Sequence, residues 1–235
     1  MTPGTRSTRT GRRQGLVLLL AGLLATLSGC AALPPDMDCA SGNPVACARV
    51  GDQRFNGGRD GADLEEAQSY FGKSCERGFL PGCHGLGLVA REQKRFGEAT
   101  RLLTDTCKRG YGPACTSAGD LQRTRNEKRP EVARALYGAA CEQLDAEGCL
   151  QLALLEESGT GGASDPEGAK AHFEMAIDHY RSRCQQGYGV SCYRYAEFFA
   201  KGWGTETNGF QVRRLMEKSC AFGHAPACEY SIGER

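Results

Sequence analysis

Cysteine is the residue with the most scope for chemistry in this 235-residue chain, which contains thirteen of them. Beyond Cys30, the other twelve form six pairs, and seven residues separate the two members of every pair. A cysteine can bind a metal, attack a substrate as a thiolate or form a disulfide, so spacing and compartment must decide between these roles. The pairs are Cys39 and Cys47, Cys75 and Cys83, Cys107 and Cys115, Cys141 and Cys149, Cys184 and Cys192, and Cys220 and Cys228.

The spacing of these pairs favours local disulfides over a metal site. Zinc sites usually place two to four residues between cysteine ligands and add histidines at a matching distance. The gap here is seven residues, and the N-terminal segment described next indicates export to an oxidising compartment, where disulfides persist. We therefore predict six bridges between near neighbours, with no metal and no other cofactor.

Residues 1–29 have the pattern of an export signal. Two adjacent arginines precede the apolar stretch 16–27, which at 1.5 Å per residue covers about 18 Å, short of the roughly 30 Å hydrocarbon core of a membrane. Such a stretch is typical of a cleaved signal peptide. It ends in Leu-Ser-Gly-Cys, which resembles the lipobox of bacterial lipoproteins. This resemblance implies cleavage before Cys30, lipid attachment at Cys30 and a tether over 30–38; the alternative is an ordinary secretory cleavage site.

Charge and targeting together limit the classes of partner. Four of the 29 basic residues lie in the signal segment, which has no acidic residue, so the remainder carries 25 basic against 28 acidic side chains. A slightly acidic body lacks the clustered positive charge that binding to nucleic acid or to an anionic membrane surface requires. We therefore expect no nucleic-acid partner, and membrane attachment by the lipid only. Ala31 stands where many inner-membrane lipoproteins have aspartate, which implies an outer-membrane anchor facing the periplasm of a bacterial envelope. A monomer is expected.

The residues around the cysteines indicate a helical repeat. The first cysteines of successive pairs are 36, 32, 34, 43 and 36 residues apart, which is a period near 35. Apolar residues recur every four positions before each first cysteine, as in Ala99, Leu103 and Cys107, and this spacing is one stripe of a helix. A glycine three residues after the first cysteine suits a left-handed helix cap in five repeats, with Leu144 as the exception. Each bridge should therefore join the last turn of one helix to the first turn of the next.

This pattern resembles the SEL-one-like repeat, a relative of the tetratricopeptide repeat, over residues 39–231. Ala-x-x-x-aromatic-x-x-x-Cys, a glycine-capped turn and Cys-x-x-Leu-Gly carry the likeness, most clearly from Lys73 to Gly87. In detail it is similar to a cysteine-rich secreted subfamily with one disulfide per repeat. The resemblance implies an all-α, right-handed solenoid of αα-hairpin repeats, with five helix pairs and a final part-helix, that acts through protein–protein contact. The first cysteines of the fourth and fifth pairs, Cys141 and Cys184, are 43 residues apart, which is more than in any other repeat. This longer spacing predicts one helix two turns longer than its siblings, projecting beyond the array.

An enzymatic role is the main alternative, because some cysteine-rich relatives are labelled as penicillin-binding proteins or β-lactamases. Serine β-lactamases need Ser-x-x-Lys and Lys-Thr-Gly, and neither motif occurs in this chain. His172 and His179 could share a helix face, but they lack a third metal ligand. We therefore expect no catalytic residue, while a β-lactam-binding or hydrolysing protein and a purely structural envelope spacer remain as alternatives.

A binding role places the functional residues on the concave face. In tetratricopeptide-like arrays the first helix of each pair lines that face. Aligning the repeats puts the residues one and five positions after each second cysteine there, followed by one more helical turn. The mixture of apolar, aromatic and charged groups suits a protein or peptide partner in the envelope. The predicted contact residues are His84, Leu88, Arg91, Asp120, Arg123, Leu150, Leu154, Tyr193 and Glu197.

Overall fold

The fold is a linear succession of helices, seen in a computed structural model that describes residues 35–57, 63–124 and 129–233. The signal segment and Cys30 lie outside these residues. Within the described ranges, no helix combines the length and the hydropathy that crossing a bilayer requires. The helices are α1 (Pro35–Ala40), α2 (Pro44–Phe55), α3 (Leu64–Glu76), α4 (Leu80–Glu92), α5 (Phe96–Lys108), α6 (Gly112–Thr124), α7 (Pro130–Glu142), α8 (Ala146–Ser158), α9 (Pro166–Gln185), α10 (Gly189–Lys201), α11 (Gly209–Ala221) and α12 (Ala225–Gly233).

These helices pack as consecutive hairpins, so the predicted all-α solenoid is confirmed. The five pairs are α2 with α3, α4 with α5, α6 with α7, α8 with α9, and α10 with α11, and they are flanked by the short α1 and by α12. The even-numbered helix of each pair is called its first helix, and the odd-numbered helix its second. Each element contacts mainly its neighbours along the chain, as expected for a repeat array without a single central core.

Side-chain caps explain where several second helices begin. Asp63 accepts a hydrogen bond from the backbone N–H of Glu66 at 2.8 Å, and Asp165 accepts one from Gly168 at 2.9 Å. Asn208 accepts the equivalent bond from Gln211 at 3.1 Å. Each bond satisfies one of the free N–H groups of a first helical turn, and a cap of this kind typically stabilises a helix by about 1 kcal/mol.

All six predicted disulfides are present, each between cysteines eight positions apart, with Cα atoms 4.5–4.7 Å from each other. Cys107, for example, lies in the last turn of α5 and is bonded to Cys115 in the first turn of α6. The first bridge connects α1 to α2, and the last connects α11 to α12. Every bridge therefore joins one helix pair, or terminal helix, to the next.

Small residues in the first helices allow the second helices to approach closely. A β-carbon added at Gly51 would come within 2.6 Å of the Phe71 ring, and one at Gly85 within 2.5 Å of the same ring. A β-carbon at Gly119 would come within 2.6 Å of the Tyr137 ring. Both rings are almost completely buried, so the glycines make room for the largest side chains of the core.

Helix α9 is longer than its siblings, but it does not project freely. It has 20 residues, whereas α3, α5, α7 and α11 have 13 each. The additional turns, residues 166–172, contain Ala169, which is only 2% exposed, and His172, which is hydrogen-bonded to Glu156 of α8. The expectation of a projecting helix is therefore wrong, because an apolar stripe continues through the extra turns and packs them.

The turn after α7 contains a backbone conformation that is costly for its residue. The glycines three residues after the first cysteine have φ between 81° and 102° in five repeats. Leu144 occupies the same position with φ 60° and is 73% exposed, so it has the left-handed conformation without glycine's freedom. For a residue with a β-carbon this conformation costs roughly 1–2 kcal/mol.

Leu144→Gly is therefore expected to raise the free energy of unfolding by about 1 kcal/mol, since relief of strain outweighs the added chain entropy of glycine. Chemical denaturation followed by circular dichroism measures the change. Leu144→Ala is the matched control, because it removes the exposed side chain and keeps the β-carbon. Equal stabilisation by alanine and glycine would show that backbone strain is not the cause.

Candidate functional site

The first helices form one continuous surface along the array. Helix α2 contacts α4, α4 contacts α6, and α6 contacts α8. In the first five pairs, the residue five positions after the second cysteine is at least partly exposed on this surface. We call the surface the first-helix face and define it by Asp52, Leu88, Arg91, Asp120, Arg123, Glu147, Gln151, Leu154, Arg194 and Glu197.

The residues one position after each second cysteine behave differently, which corrects part of the sequence prediction. Leu150 is 1% exposed and lies in the core around α8 and α9, so the prediction that it contacts a partner is wrong. Thr116 at the same register is also buried and donates a hydrogen bond to Asp145 at 2.5 Å. This position faces the next repeat, and it is therefore used to stack one repeat on another.

Leu154 and Tyr193 are only partly available on the first-helix face. Leu154 packs against the core around α8 and α9, and Tyr193 packs against the core of the last pair. The Tyr193 ring also meets the His224 ring edge-on, with centroids 5.1 Å apart. These two predicted contact residues therefore also take part in the packing, so replacing either one would test stability together with binding.

His84 also serves the contact between repeats. Its Nε2 is 2.9 Å from Ser117 Oγ on α6, and its ring centroid is 5.5 Å from that of Tyr111. Burial, together with a smaller effect of the positive charge of Arg91, lowers the pKa of His84 to about 4. His84 is therefore a neutral packing residue at pH 7, not a free ligand for a partner.

Acid is expected to destabilise the array through His84. The unfolded chain binds a proton at this histidine below about pH 6.5, whereas the folded chain does so only below about pH 4. The contribution of neutral His84 is thus complete above pH 6.5 and is lost as the pH falls toward 4, by about 2 kcal/mol between pH 7 and pH 5. Unfolding curves of the wild type and of His84→Phe at both pH values measure this loss, and an equal pH dependence in the two proteins would contradict it.

Charged residues from three successive first helices converge near the middle of the face. Asp120 on α6 accepts a hydrogen bond from the Tyr137 hydroxyl at 2.7 Å and lies 3.8 Å from Arg123. The pKa of Asp120 is raised, mainly by burial and also by the negative charge of Glu147 on α8. The hydrogen bond from Tyr137 and the positive charges of Arg123 and of Arg91 on α4 act in the opposite direction. Charges on both neighbouring first helices, α4 and α8, therefore influence the pKa of Asp120.

A second charged network joins α8 to α10, and the sequence did not reveal it. Arg194 donates hydrogen bonds to Glu147 and, at 2.7 Å, to Glu197, and the Tyr180 hydroxyl donates to Glu147 at 3.1 Å. Burial alone would raise the pKa of Glu147, but Arg194 and three hydrogen bonds hold it below its usual value. Gln151 donates to Glu147 at 2.8 Å, and its own Oε1 is buried without a hydrogen-bond donor among the described residues. Two of these residues, Glu147 and Gln151, lie two positions before and after Cys149, and Arg194 lies two positions after Cys192. A prediction that also included the positions two residues from each second cysteine would have identified them.

The first-helix face combines apolar and charged side chains, a composition suited to binding. All twelve cysteines of the described ranges are in disulfides, so none of them is a thiolate nucleophile in the oxidised protein. Across the same ranges, no group of three or more histidine, cysteine, aspartate or glutamate side chains could hold a metal. The face presents half-buried leucines such as Leu88 beside oriented arginines and carboxylates.

Comparison with solved structures places the fold among the Sel1-repeat (SLR) proteins. A Sel1 repeat protein from Oxalobacter formigenes matches with a TM-score of 0.55 and 20% identity over 83% of this chain and 78% of its own. The protective antigen c5321 of uropathogenic Escherichia coli, which displays an SLR fold, matches with a TM-score of 0.52 and 18% identity over 82% of this chain. The immunity protein Pa5087 from Pseudomonas aeruginosa matches with a TM-score of 0.52 and 16% identity over 82% of this chain and 74% of its own.

The similarity of this chain to these solved structures concerns the fold only. The aligned part spans about half, 49%, of the c5321 chain. No family model matches this chain, and no curated protein does. At identities of 16–20% the likenesses show the fold alone.

Proposed function

We propose that this chain, which has the Sel1-repeat fold with a disulfide in each repeat, acts as a lipid-anchored scaffold that binds a protein or peptide in the bacterial envelope. The observation that carries the proposal is the convergence of Arg91, Asp120 and Glu147, from three successive first helices, on one open face. A partner lying across several helices would meet apolar groups between oriented charges, a combination suited to specific protein recognition. Repeat solenoids use extended surfaces of this kind for binding.

The proposed location rests on the disulfides and on the N-terminal sequence. Six bridges in one chain suggest an oxidising compartment outside the cytoplasm. Cys30 follows an apolar signal stretch and is the one cysteine left without a near-neighbour partner. These features support lipid attachment at Cys30 and sorting to the outer membrane, with a monomeric array facing the periplasm.

Site-specific cross-linking in intact cells tests the binding role. A photoreactive amino acid at Leu88, half-buried on the first-helix face, should yield a discrete covalent adduct with one partner. The same amino acid at Arg101, exposed on the second helix α5, is the matched control and should not yield that adduct. If neither position yields an adduct, the binding proposal is contradicted and a purely structural spacer is favoured.

A further inference from the structure

A groove separates α7 from α9 on the side of the array formed by the second helices. It encloses about 490 Å³, a volume within the range of small-ligand and side-chain pockets. Its floor comes from Leu152 and Glu156 of α8, and Met175 of α9, 43% exposed, forms part of one wall. Ala135 and Gly138 of α7 line the other wall, and their small size keeps the groove open.

A buried charged cluster at one end of the floor makes this groove different from its surroundings. Glu156 is 7% exposed; it accepts a hydrogen bond from His172 Nδ1 at 2.7 Å and lies 3.9 Å from Arg134. Arg134 is held in place by donating to the carbonyl of Ala163 at 2.7 Å. His172 belongs to the two additional turns of α9, so the lengthened repeat creates the cluster. The residues in the register of Glu156 on α4 and α10 are Ala90 and Phe199, which cannot form it.

Unpaired carboxylates mark the two ends of the groove. Glu131 and Glu142 are exposed at opposite ends of the α7 wall, and neither makes an ion pair with any residue of the described ranges. They are eleven positions apart on one helix, a separation of about 16 Å. An extended peptide covers about that distance in five residues. The groove thus has an apolar middle between two negative ends.

We propose that this groove binds an extended segment of a partner protein that carries a basic residue toward each end and an apolar side chain between them. The apolar side chain would lie against Leu152 and Met175, while Glu131 and Glu142 would pair with the flanking lysines or arginines. Three carboxylates line the groove against one guanidinium and one imidazole, so its charge complements such a segment. The site lies between second helices and does not depend on the first-helix face.

A labelled peptide of sequence Lys-Ala-Leu-Ala-Leu-Ala-Lys is a direct probe, because its lysines and leucines lie on one face of an extended strand and its lysines are far enough apart to reach both carboxylates. Fluorescence anisotropy with the mature chain, all disulfides intact, should show saturable binding. Glu131→Gln combined with Glu142→Gln should weaken binding at least tenfold, and a peptide with glutamate in place of both lysines should not bind. Equal binding of the two peptides, or no binding of the basic one, would overturn the proposal.

Filling the groove gives a test that does not alter its charges. A β-carbon at Gly138 would meet no atom within 4 Å, so the side chain of Gly138→Leu has open space to occupy inside the groove. Gly72 lies at the same register of α3, three residues before a first cysteine, and its β-carbon position is equally open. Both substitutions replace a helical glycine and should leave the array folded and at least as stable.

The two leucine variants should differ only in binding. Gly138→Leu should weaken binding of the basic peptide at least tenfold, whereas Gly72→Leu should bind it like the wild type. If Gly138→Leu is folded and binds normally, or if Gly72→Leu weakens binding equally, the groove is not the site. Neither result bears on partner capture by the first-helix face.

Discussion

Cys107→Ser is expected to lower the free energy of unfolding by about 2–5 kcal/mol, a large fraction of the stability of a typical domain. The lost bridge joins α5 to α6 near the middle of the described array, and both of its cysteines are almost completely buried. The chain-entropy term for its nine-residue loop is about 2.6 kcal/mol, and the substitution also leaves Cys115 as a buried thiol. Because successive pairs contact mainly their neighbours, the rest of the array cannot compensate fully for a weakened junction.

Chemical denaturation of the oxidised protein, followed by circular dichroism, measures this loss. The matched control is Cys107→Ser combined with Cys115→Ser, which removes the same bridge without leaving a thiol for exchange. Both variants should lose a similar amount of stability, and amide exchange should accelerate more in α5 and α6 than in α10 and α11. A loss below about 1 kcal/mol in both variants would show that the bridges do not replace a central core.

The repeat architecture could be predicted from the sequence because the cysteines mark the register of every repeat. Since each pair fixes one helix end and the next helix start, the position of Leu144 could be identified as an exception before its backbone was known. The length of α9 also followed from the spacing before Cys184. These features depend on local chain geometry, which periodicity and capping residues describe well.

Contacts between repeats could not be predicted in the same way. The alignment of the repeats predicts Leu150 on the open face, whereas its burial depends on how the neighbouring helices pack. Arg194 reaches Glu147 only because α10 packs beside α8, and the two residues are 47 positions apart. The link between Glu156 and His172 likewise depends on the direction in which the extra turns of α9 pack. Such details arise from packing angles that one sequence does not specify.

The second large effect is expected on binding, from Arg91→Gln combined with Arg123→Gln. These arginines occupy the same register on α4 and α6, and their side chains are 34% and 47% exposed. Their ion pairs, with Glu92 and Asp120, lie at the surface and contribute little to folding, typically about 0–1 kcal/mol each. Arginine is enriched among the residues that dominate protein interfaces, so losing two from the centre of the face should weaken binding at least tenfold, or about 1.4 kcal/mol.

A matched control separates binding from general surface charge. Arg101→Gln combined with Arg181→Gln removes two exposed arginines from the second helices α5 and α9. Arg181 pairs with Asp178 three positions before it, as Arg123 pairs with Asp120, so the two double variants lose similar charge and one similar ion pair. Neither arginine of the control contacts the first-helix face or lines the groove between α7 and α9.

The affinity of these two double variants for the partner cross-linked from Leu88 tests most directly whether the protein binds through its first-helix face. The dissociation constant should rise at least tenfold for Arg91→Gln with Arg123→Gln and should stay at the wild-type value for Arg101→Gln with Arg181→Gln, with unchanged helix content and six intact disulfides in both. If the first variant is folded and binds the partner as tightly as the wild type, the first-helix face is not the binding surface.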